Sequence, residues 1–173
     1  MLECSEFVNS DEFAKALSPF NPAAASVTAS RYMLIKVRYL LSRRQDFSIE
    51  TTLATRSLMK TIMKAKESGY HVTLLYFWLN SPELAIKRVR DRVEAGGHNI
   101  TDDVIRRRYV MGLKYFFNDY IHLSDRWILA DNSKTPFSVV AEGHPHSTTI
   151  KNMEKYELIW NYAFPESITP EQE

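Results

Sequence analysis

The segment YHVTLLYFWL at residues 70–79 narrows the choice of fold more than any other part of this sequence. Its side chains are apolar at odd and even positions alike, which is typical of a strand covered by helices on both faces. The run Ser81-Pro82-Glu83 follows and combines a capping hydroxyl, a first-turn proline and an acid, so it predicts a helix that ends at the next glycine pair. A two-sided strand that runs into a helix predicts an α/β domain.

Helices and strands alternate along the rest of the chain, which favours a largely parallel sheet. Ser10 is predicted to cap the first helix. No repeat or linker is visible, so we expect one domain over residues 1–164 and a frayed tail at 165–173. The other predicted helices cover residues 10–17, 23–44, 55–66, 101–123 and 149–162, and the other predicted strands cover 47–53, 126–131 and 137–141.

The composition argues against several classes of protein. The 173 residues carry a net charge of +1, which gives no electrostatic reason to expect nucleic acid or a membrane surface as a partner. The longest apolar run, residues 72–79, is too short to span a bilayer. The single cysteine, Cys4, excludes an internal disulfide framework and a cysteine zinc site. No signal peptide is visible, so a cytoplasmic location is expected.

Two polar clusters follow predicted strands, where a parallel α/β sheet places its ligand crevice. Asn9-Ser10-Asp11 comes after a short apolar pair, and Asp11 can take a proton from a hydroxyl nucleophile. Glu50-Thr51-Thr52 ends the strand at 47–53 and can hold a sugar hydroxyl or a magnesium-bound water. The alternatives are a helix cap for the first cluster and a sheet edge with a capping threonine for the second.

Arginines flank the sequence Gly96-Gly97-His98 on both sides. Two helices joined by a Gly-Gly hinge can form a mobile lid over about residues 88–108, whose guanidinium groups neutralise a transferred phosphoryl group. His98 is a candidate phosphate contact. The alternative is a pair of solvated helices, because acidic residues are interleaved. The arginines are Arg88, Arg90 and Arg92 before the glycines, and Arg106, Arg107 and Arg108 after them.

Two further polar runs lie near the C-terminal end of the chain. Asp131-Asn132-Ser133 follows the strand at 126–131 and forms either a loop at the edge of a purine or a simple turn. Gly143-His144-Pro145-His146 is a weak indication of divalent metal binding, and a surface loop is the favoured interpretation. We therefore propose no metal site from the sequence.

These clusters, in this order, resemble the zeta-toxin-like family of P-loop kinases, and most closely its bacterial branch of predicted ATPases. The resemblance covers about residues 6–142. No single piece is diagnostic, but six pieces in the same order and spacing are specific. The pieces are FVNSDEFAKALSPFNP, FSIETTL, GYHVTLLYFWLNSPELAIKRVRDRV, GGHNI, IRRRY and DRWILADNS.

The resemblance implies a three-layer, nucleoside-monophosphate-kinase-like parallel sheet with a helical lid. It implies a kinase that uses ATP and Mg²⁺ to phosphorylate a hydroxyl of a small molecule such as UDP-N-acetylglucosamine, and an antitoxin as partner. Asp11 matches the catalytic base, and Arg92 with Arg107 or Arg108 matches the phosphate clamp. The substrate side matches Asn9, Glu50, Thr51, Thr52, Arg56 and His98, and the base-side loop matches Asp131, Asn132 and Ser133.

The sequence departs from the family at its start. The family begins with a strand and the phosphate loop G-x-x-x-x-G-K-[ST], whereas no glycine precedes Gly69 here. We therefore expect a truncated chain that lost most nucleotide affinity and nearly all turnover. The alternatives are a catalytically dead module that binds a nucleotide-sugar or a partner protein, and a P-loop-like kinase of another substrate.

The missing strand has a structural consequence. In this fold class it lies at the centre of the sheet, between the strands at 47–53 and 70–79. We expect one of three outcomes: the two strands pair directly, an antitoxin or second chain fills the gap, or the domain is weakly stable.

Overall fold

The computed structural model describes residues 4, 6–97 and 99–165, and its backbone forms two compact units. Unit 1 contains the described residues of Met1–Thr51 and Val89–Ile100, and unit 2 those of Thr52–Arg88 and Thr101–Glu173. The predicted single domain over 1–164 stays a prediction. Beyond Pro165, the predicted frayed tail lies outside the described residues.

Unit 1 is a small α/β unit built on two short parallel strands. Strand β1 (Glu6–Val8) pairs with β2 (Phe47–Ile49), with Val8 opposite Ile49. Helix α1 (Ser10–Leu17), a 3₁₀ turn (Pro22–Ala25) and helix α2 (Ser26–Ser42) connect the two strands. Their apolar sides form the buried core of the unit, which includes Val8, Ala14, Ala29, Val37 and Leu40.

Two predictions in this part of the chain are wrong in detail. The cap of α1 is Asn9 rather than Ser10, because the Asn9 side chain accepts a hydrogen bond from the backbone N–H of Asp11. Strand β2 ends at Ile49 instead of residue 53, and the backbone reaches the left-handed region at Leu53, where φ is +52°.

Unit 2 contains a four-stranded mixed sheet in the order β3-β4-β5-β6. Strands β3 (Thr73–Trp78) and β4 (Arg126–Asp131) are parallel, while β5 (Ser138–His144) and β6 (Ser147–Ile150) continue the sheet antiparallel. The helices of this part are α3 (Met59–Glu67), α4 (Pro82–Glu94), α5 (Asp102–Tyr115), α6 (Ile121–Leu123) and α7 (Met153–Ala163), and α4 continues into unit 1 after Arg88.

Two helices of unit 2 differ from their predicted bounds. The predicted helix at 55–66 begins only at Met59, and the carbonyl of Thr55 accepts a hydrogen bond from the Tyr120 hydroxyl (2.6 Å) instead. The predicted helix at 101–123 is interrupted by a π-helical segment, Phe116–Tyr120. That segment buries Phe116, Phe117 and Tyr120 together in the aromatic core of the unit.

The hairpin of β5 and β6 was not predicted. The expected strand at 137–141 extends to His144, and the expected start of the last helix at residue 149 is strand β6 instead. Pro145 and His146 form the two-residue turn of the hairpin, and Gly143 and His144 are the last residues of β5. Glycine is required at 143, because a Cβ would lie 2.6 Å from the Trp127 ring and against the Ser147 carbonyl.

The six strands of the described residues form two separate sheets, so the direct pairing of β2 with β3 does not occur. Strand β3 pairs with β4 along one edge, and its other edge pairs with no strand in the described chain. Leu75 and Phe77 are 41% and 45% exposed, so the predicted burial on both faces is wrong for these two side chains. No described helix is long and apolar enough to cross a membrane.

Candidate functional site

Four of the predicted site residues form a polar network in unit 1. Asn9 directly follows β1 and Glu50 directly follows β2. Because the strands are parallel and in register, their carboxyl ends lie side by side, and the Asn9 Nδ2 donates to Glu50 Oε2 (2.8 Å). The pairing of β1 with β2 thus brings the cluster at Asn9 and the cluster at Glu50 together.

Asn9 also determines where Asp11 lies. Its Oδ1 accepts from the backbone N–H of Asp11 (2.8 Å), which is the capping hydrogen bond of α1. One amide side chain therefore uses its acceptor to begin a helix and its donor to hold Glu50. The sequence predicted the cap one residue later, at Ser10, and only the structure shows that the Asn9 cap links the two carboxylate-bearing segments.

Arg92 completes the network. Its Nη1 lies 3.2 Å from Asp11 Oδ2, and both side chains remain roughly half exposed. An exposed ion pair of this kind contributes little to stability and separates readily. The Asp11 carboxylate therefore keeps solvent-exposed surface, with a guanidinium directly beside it.

The end of helix α4 supports Arg92. Gly97 N–H donates to the Arg92 carbonyl (2.8 Å) and Gly96 N–H donates to the Val93 carbonyl (2.9 Å), which is the Schellman pattern of helix ends. Gly96 has a φ of +90°, and a Cβ on Gly97 would lie 2.8 Å from the Arg92 carbonyl oxygen. The glycine pair therefore ends α4 tightly, and its proposed role as a lid hinge stays a prediction.

The arginines after the glycine pair lie on α5 in unit 2. Arg106 forms an ion pair with Glu83, and their hydrogen bond holds the pKa of Glu83 below its usual range. A hydrogen bond from Thr101, and to a smaller extent the charge of Arg107, lowers the pKa of Asp103. Arg107 and Arg108 are both exposed. The proposed contact of Arg107 and Arg108 with phosphate stays a prediction.

The remaining substrate-side candidates are less closely linked. Arg56 donates to Asp119 Oδ2 (3.1 Å) and its guanidinium lies 5.0 Å from the centre of the Tyr115 ring, so its contacts are on the surface of unit 2. Thr51 and Thr52 are exposed after β2. His98 lies outside the described residues.

The loop after β4 is held rigidly within unit 2. Asp131 Oδ1 accepts from the N–H (2.9 Å) and the hydroxyl (2.5 Å) of Ser133, and Oδ2 accepts from Lys155 Nζ (2.6 Å). Burial by itself would raise the pKa of Asp131, but the hydrogen bonds from Lys155 and Ser133 outweigh it and lower that pKa. Asn132 contributes its carbonyl to Arg88 (2.7 Å). These hydrogen bonds fix the position of Asp131, and the role of the loop at the edge of a purine stays a prediction. Sequence spacing gave no signal for Lys155.

Comparison with known families decides the relationship. The model of the family described as Zeta toxin matches residues 12–126, about two thirds of the chain. This chain belongs to the zeta toxin family. The match to the zeta toxin model includes Glu50, Arg92 and the arginines of α5, and it begins one residue after Asp11.

This zeta toxin family member is similar to a curated protein and to a solved structure. An uncharacterized protein of Haemophilus influenzae (strain Rd) is 32% identical over 102 residues, which are 59% of this chain and 73% of that protein. A solved structure of the PezAT chromosomal toxin–antitoxin system of Streptococcus pneumoniae aligns with a TM-score of 0.60 and 18% identity, over 92% of this chain and 67% of that chain. The predicted kinase-like α/β fold is confirmed.

The described residues fit one side of a kinase site better than the other. Unit 1 provides a carboxylate, a second carboxylate held by an amide, and a guanidinium, which suits an acceptor hydroxyl. No G-x-x-x-x-G-K-[ST] occurs in the 173 residues, and the described residues hold no group of three or more potential metal ligands. The 173 residues therefore include no phosphate loop of this kind to hold magnesium-ATP.

Proposed function

We propose that this zeta toxin family member binds the acceptor substrate of a phosphotransferase, a small molecule with a reactive hydroxyl such as UDP-N-acetylglucosamine, in the cytoplasm. The network of Asn9, Asp11, Glu50 and Arg92 carries the proposal. Family membership and the fold of the toxin–antitoxin neighbour support a kinase-like toxin, and the chemistry of the network suits the acceptor side.

Each member of the network has a distinct proposed role. Asp11 is the general base that takes the proton of the hydroxyl, and Glu50, held by Asn9, accepts a hydrogen bond from a neighbouring sugar hydroxyl. Arg92 neutralises the phosphoryl group as charge builds up. Thr51 adds a hydroxyl beside Glu50. The resemblance to the family also proposes Arg107 and Arg108 as phosphate contacts. It proposes the loop at residues 131–133 as a contact to the nucleotide base.

ATP and Mg²⁺ are the family's implied cofactors, and this chain by itself is proposed to lack productive contact with them. Positioning and charge neutralisation make up most of phosphoryl-transfer catalysis, and the phosphate loop provides both. We therefore propose that the 173-residue chain retains acceptor binding and is impaired in phosphoryl transfer. If phosphoryl transfer is lost completely, the chain is a binding module without catalysis.

Calorimetric titration with UDP-N-acetylglucosamine tests acceptor binding. We expect Glu50→Gln and Asn9→Ala to weaken binding roughly tenfold, because each breaks the hydrogen bond that orients the second carboxylate. Glu12→Gln is the matched control, an exposed acid on the first turn of α1 outside the network. Absence of heat at millimolar ligand from a folded protein, or equal loss in all three variants, contradicts the proposal.

The same titration with magnesium-ATP tests the impaired nucleotide side. We expect no heat at millimolar ATP and no phosphate transfer to the nucleotide-sugar. Micromolar binding that Arg107→Ala weakens would show that the chain builds a phosphate site without a phosphate loop, and the proposed impairment would then be wrong.

We also propose that an antitoxin, or a second chain, adds a strand to the unpaired edge of β3. The neighbouring structure comes from a toxin–antitoxin system, and Leu75 and Phe77 leave apolar surface along that strand. Phe137 stacks edge-to-face on Phe77 at 5.3 Å and enlarges this surface. An unpaired, apolar edge strand is a template for another chain.

Light scattering during gel filtration tests the edge of β3. Without its partner, the protein is expected to self-associate as its concentration rises, and Leu75→Lys is expected to reduce this because it places a charge on the strand. Phe20→Lys, at a fully exposed site in unit 1, is the control and should leave self-association unchanged. A protein that stays monomeric at every concentration contradicts the proposed edge.

A further inference from the structure

Helix α2 of unit 1 has apolar side chains on two opposite sides. One side packs into the core of unit 1 through Ala29, Val37 and Leu40. The opposite side exposes Tyr32, Ile35 and Tyr39, at 47%, 57% and 58% of their surface. We call these three side chains the outward seam of α2. A helix that is apolar on both sides is normally buried on both, so the outward seam lacks a covering element.

The spacing of the outward seam is that of a helix-packing surface. Tyr32, Ile35 and Tyr39 are three and four residues apart, and Thr28 and Ser42 continue the same alternation of four and three. This is the a and d spacing by which two helices pack side by side. With these two polar positions included, the row from Thr28 to Ser42 is about 21 Å long, enough for four turns of a partner helix.

The charge of α2 adds a second constraint. Helix α2 contains three basic residues, Arg31, Lys36 and Arg38, and no acidic residue, in a chain whose net charge is only +1. Lys36 forms an ion pair with Glu6 (2.8 Å). Arg31 and Arg38 lie seven residues apart beside Ile35, and within the described residues neither forms an ion pair with a carboxylate. The outward seam is thus flanked by unneutralised positive charge.

We propose that the outward seam of α2 docks an amphipathic helix of a partner protein that carries acidic residues beside its own apolar seam. The three- and four-residue spacing of the seam favours a helix as partner. The charges of Arg31 and Arg38 favour carboxylates at the flanking positions of that helix. Tyrosine and arginine are also the residues in which protein interfaces concentrate their binding energy. This interface is independent of the acceptor site and of the β3 edge.

The observations favour a partner helix over other occupants. A second copy that used its own α2 would place Arg31 and Arg38 against the same cations, which like-charge repulsion disfavours. An anionic membrane would be met by three apolar side chains only, of which two are tyrosines. A membrane-bound helix presents a wider apolar face than this.

The test uses fluorescent peptides of defined chemistry with the full chain. The probe is a helix of about 21 residues with leucine at a and d and glutamate at e and g, and the control peptide has lysine in place of each glutamate. Fluorescence anisotropy is expected to show binding of the glutamate peptide, and roughly tenfold weaker binding of the lysine peptide. Circular dichroism verifies that every variant is folded.

Three variants locate the binding site. Ile35→Asp should weaken binding of the glutamate peptide at least tenfold. Val27 is an exposed residue of α2 outside the seam, so Val27→Asp should leave that binding unchanged. The double variant Arg31→Glu with Arg38→Glu should reverse the preference so that the lysine peptide binds more tightly. That reversal cannot arise from loss of folding.

Four results of the peptide experiments would overturn the proposal. They are no binding of either peptide, equal binding of both, binding unaffected by Ile35→Asp, and an unreversed preference in the double arginine variant. Vesicles of phosphatidylcholine with about a quarter phosphatidylglycerol are titrated in parallel. Tighter binding to these vesicles than to the glutamate peptide, lost in Ile35→Asp, would assign the seam to a membrane instead and likewise overturn the proposal.

Discussion

Replacement of Phe116 by alanine is expected to lower the free energy of unfolding by about 4 kcal/mol, the largest single effect that the structure predicts. Phe116 is completely buried in unit 2, and its ring lies 5.0 Å from those of Tyr76 and Phe117 and 5.8 Å from that of Trp127. Alanine removes the ring from the centre of this cluster. The surrounding aromatic rings are too large and constrained to fill the space.

Urea and thermal unfolding measure this effect, with tryptophan fluorescence as one probe because Trp127 contacts the lost ring. The midpoint temperature should fall by roughly 10 °C. Phe137→Ala is the matched control, since Phe137 is 49% exposed and the same ring is removed from the surface. A loss below about 1 kcal/mol in Phe116→Ala, or an equal loss in the control, would show that the aromatic cluster is not the centre of the core.

Asp131→Asn is expected to lower the free energy of unfolding by about 2 kcal/mol at neutral pH. The residue is 8% exposed, and its carboxylate receives hydrogen bonds from Lys155 and twice from Ser133. Asparagine keeps the size of the side chain but leaves Lys155 without its counter-charge. The cost stays below that of a fully buried pair because Lys155 remains 37% exposed and can turn toward water.

The pH dependence of this variant has a definite sign. Because the pKa of Asp131 is lowered in the folded protein, its stabilisation is present above the unfolded pKa of about 3.9 and is lost as the pH falls through the folded value. The stability difference between native protein and Asp131→Asn should therefore be full at pH 7 and shrink below about pH 4.

Chemical denaturation between pH 7 and pH 3 tests this dependence. Glu142→Gln is the control, since Glu142 is more exposed than Asp131 and pairs with Lys151 and Arg126, whose side chains are about half exposed, so this change should alter stability little. A difference for Asp131→Asn that stays constant down to pH 3 would contradict a buried, ionised Asp131. Lys155→Met should remove most of the effect of Asp131→Asn, because the two side chains act as a pair.

Local sequence signals predicted the elements that local chemistry determines. Helix α1 and strand β4 have the predicted bounds, and α4 begins at Pro82 and ends before the glycine pair as expected. Caps, prolines and glycines act on the backbone within a few residues, so the sequence alone carries their effect. The resemblance to zeta toxins was likewise contained in the order of six short segments, and the family match confirms it.

The tertiary structure decided the features that depend on residues distant in sequence. The π-helical segment places Phe116 against the Trp127 ring, and the hairpin of β5 and β6 places Gly143 against the same ring, contacts that no local pattern encodes. The partners of the charged residues were equally hidden: Arg92 meets Asp11 from 81 positions away, and Lys155 meets Asp131 from 24.

The sequence by itself therefore determined which residues could carry chemistry, and placed Asn9 and Glu50 at the ends of strands. Only the tertiary structure determined that those strands are neighbours and that Asn9 joins both carboxylate segments. The physical reason is that a hydrogen bond acts over about 3 Å, so its partners are known only once the fold has brought them together.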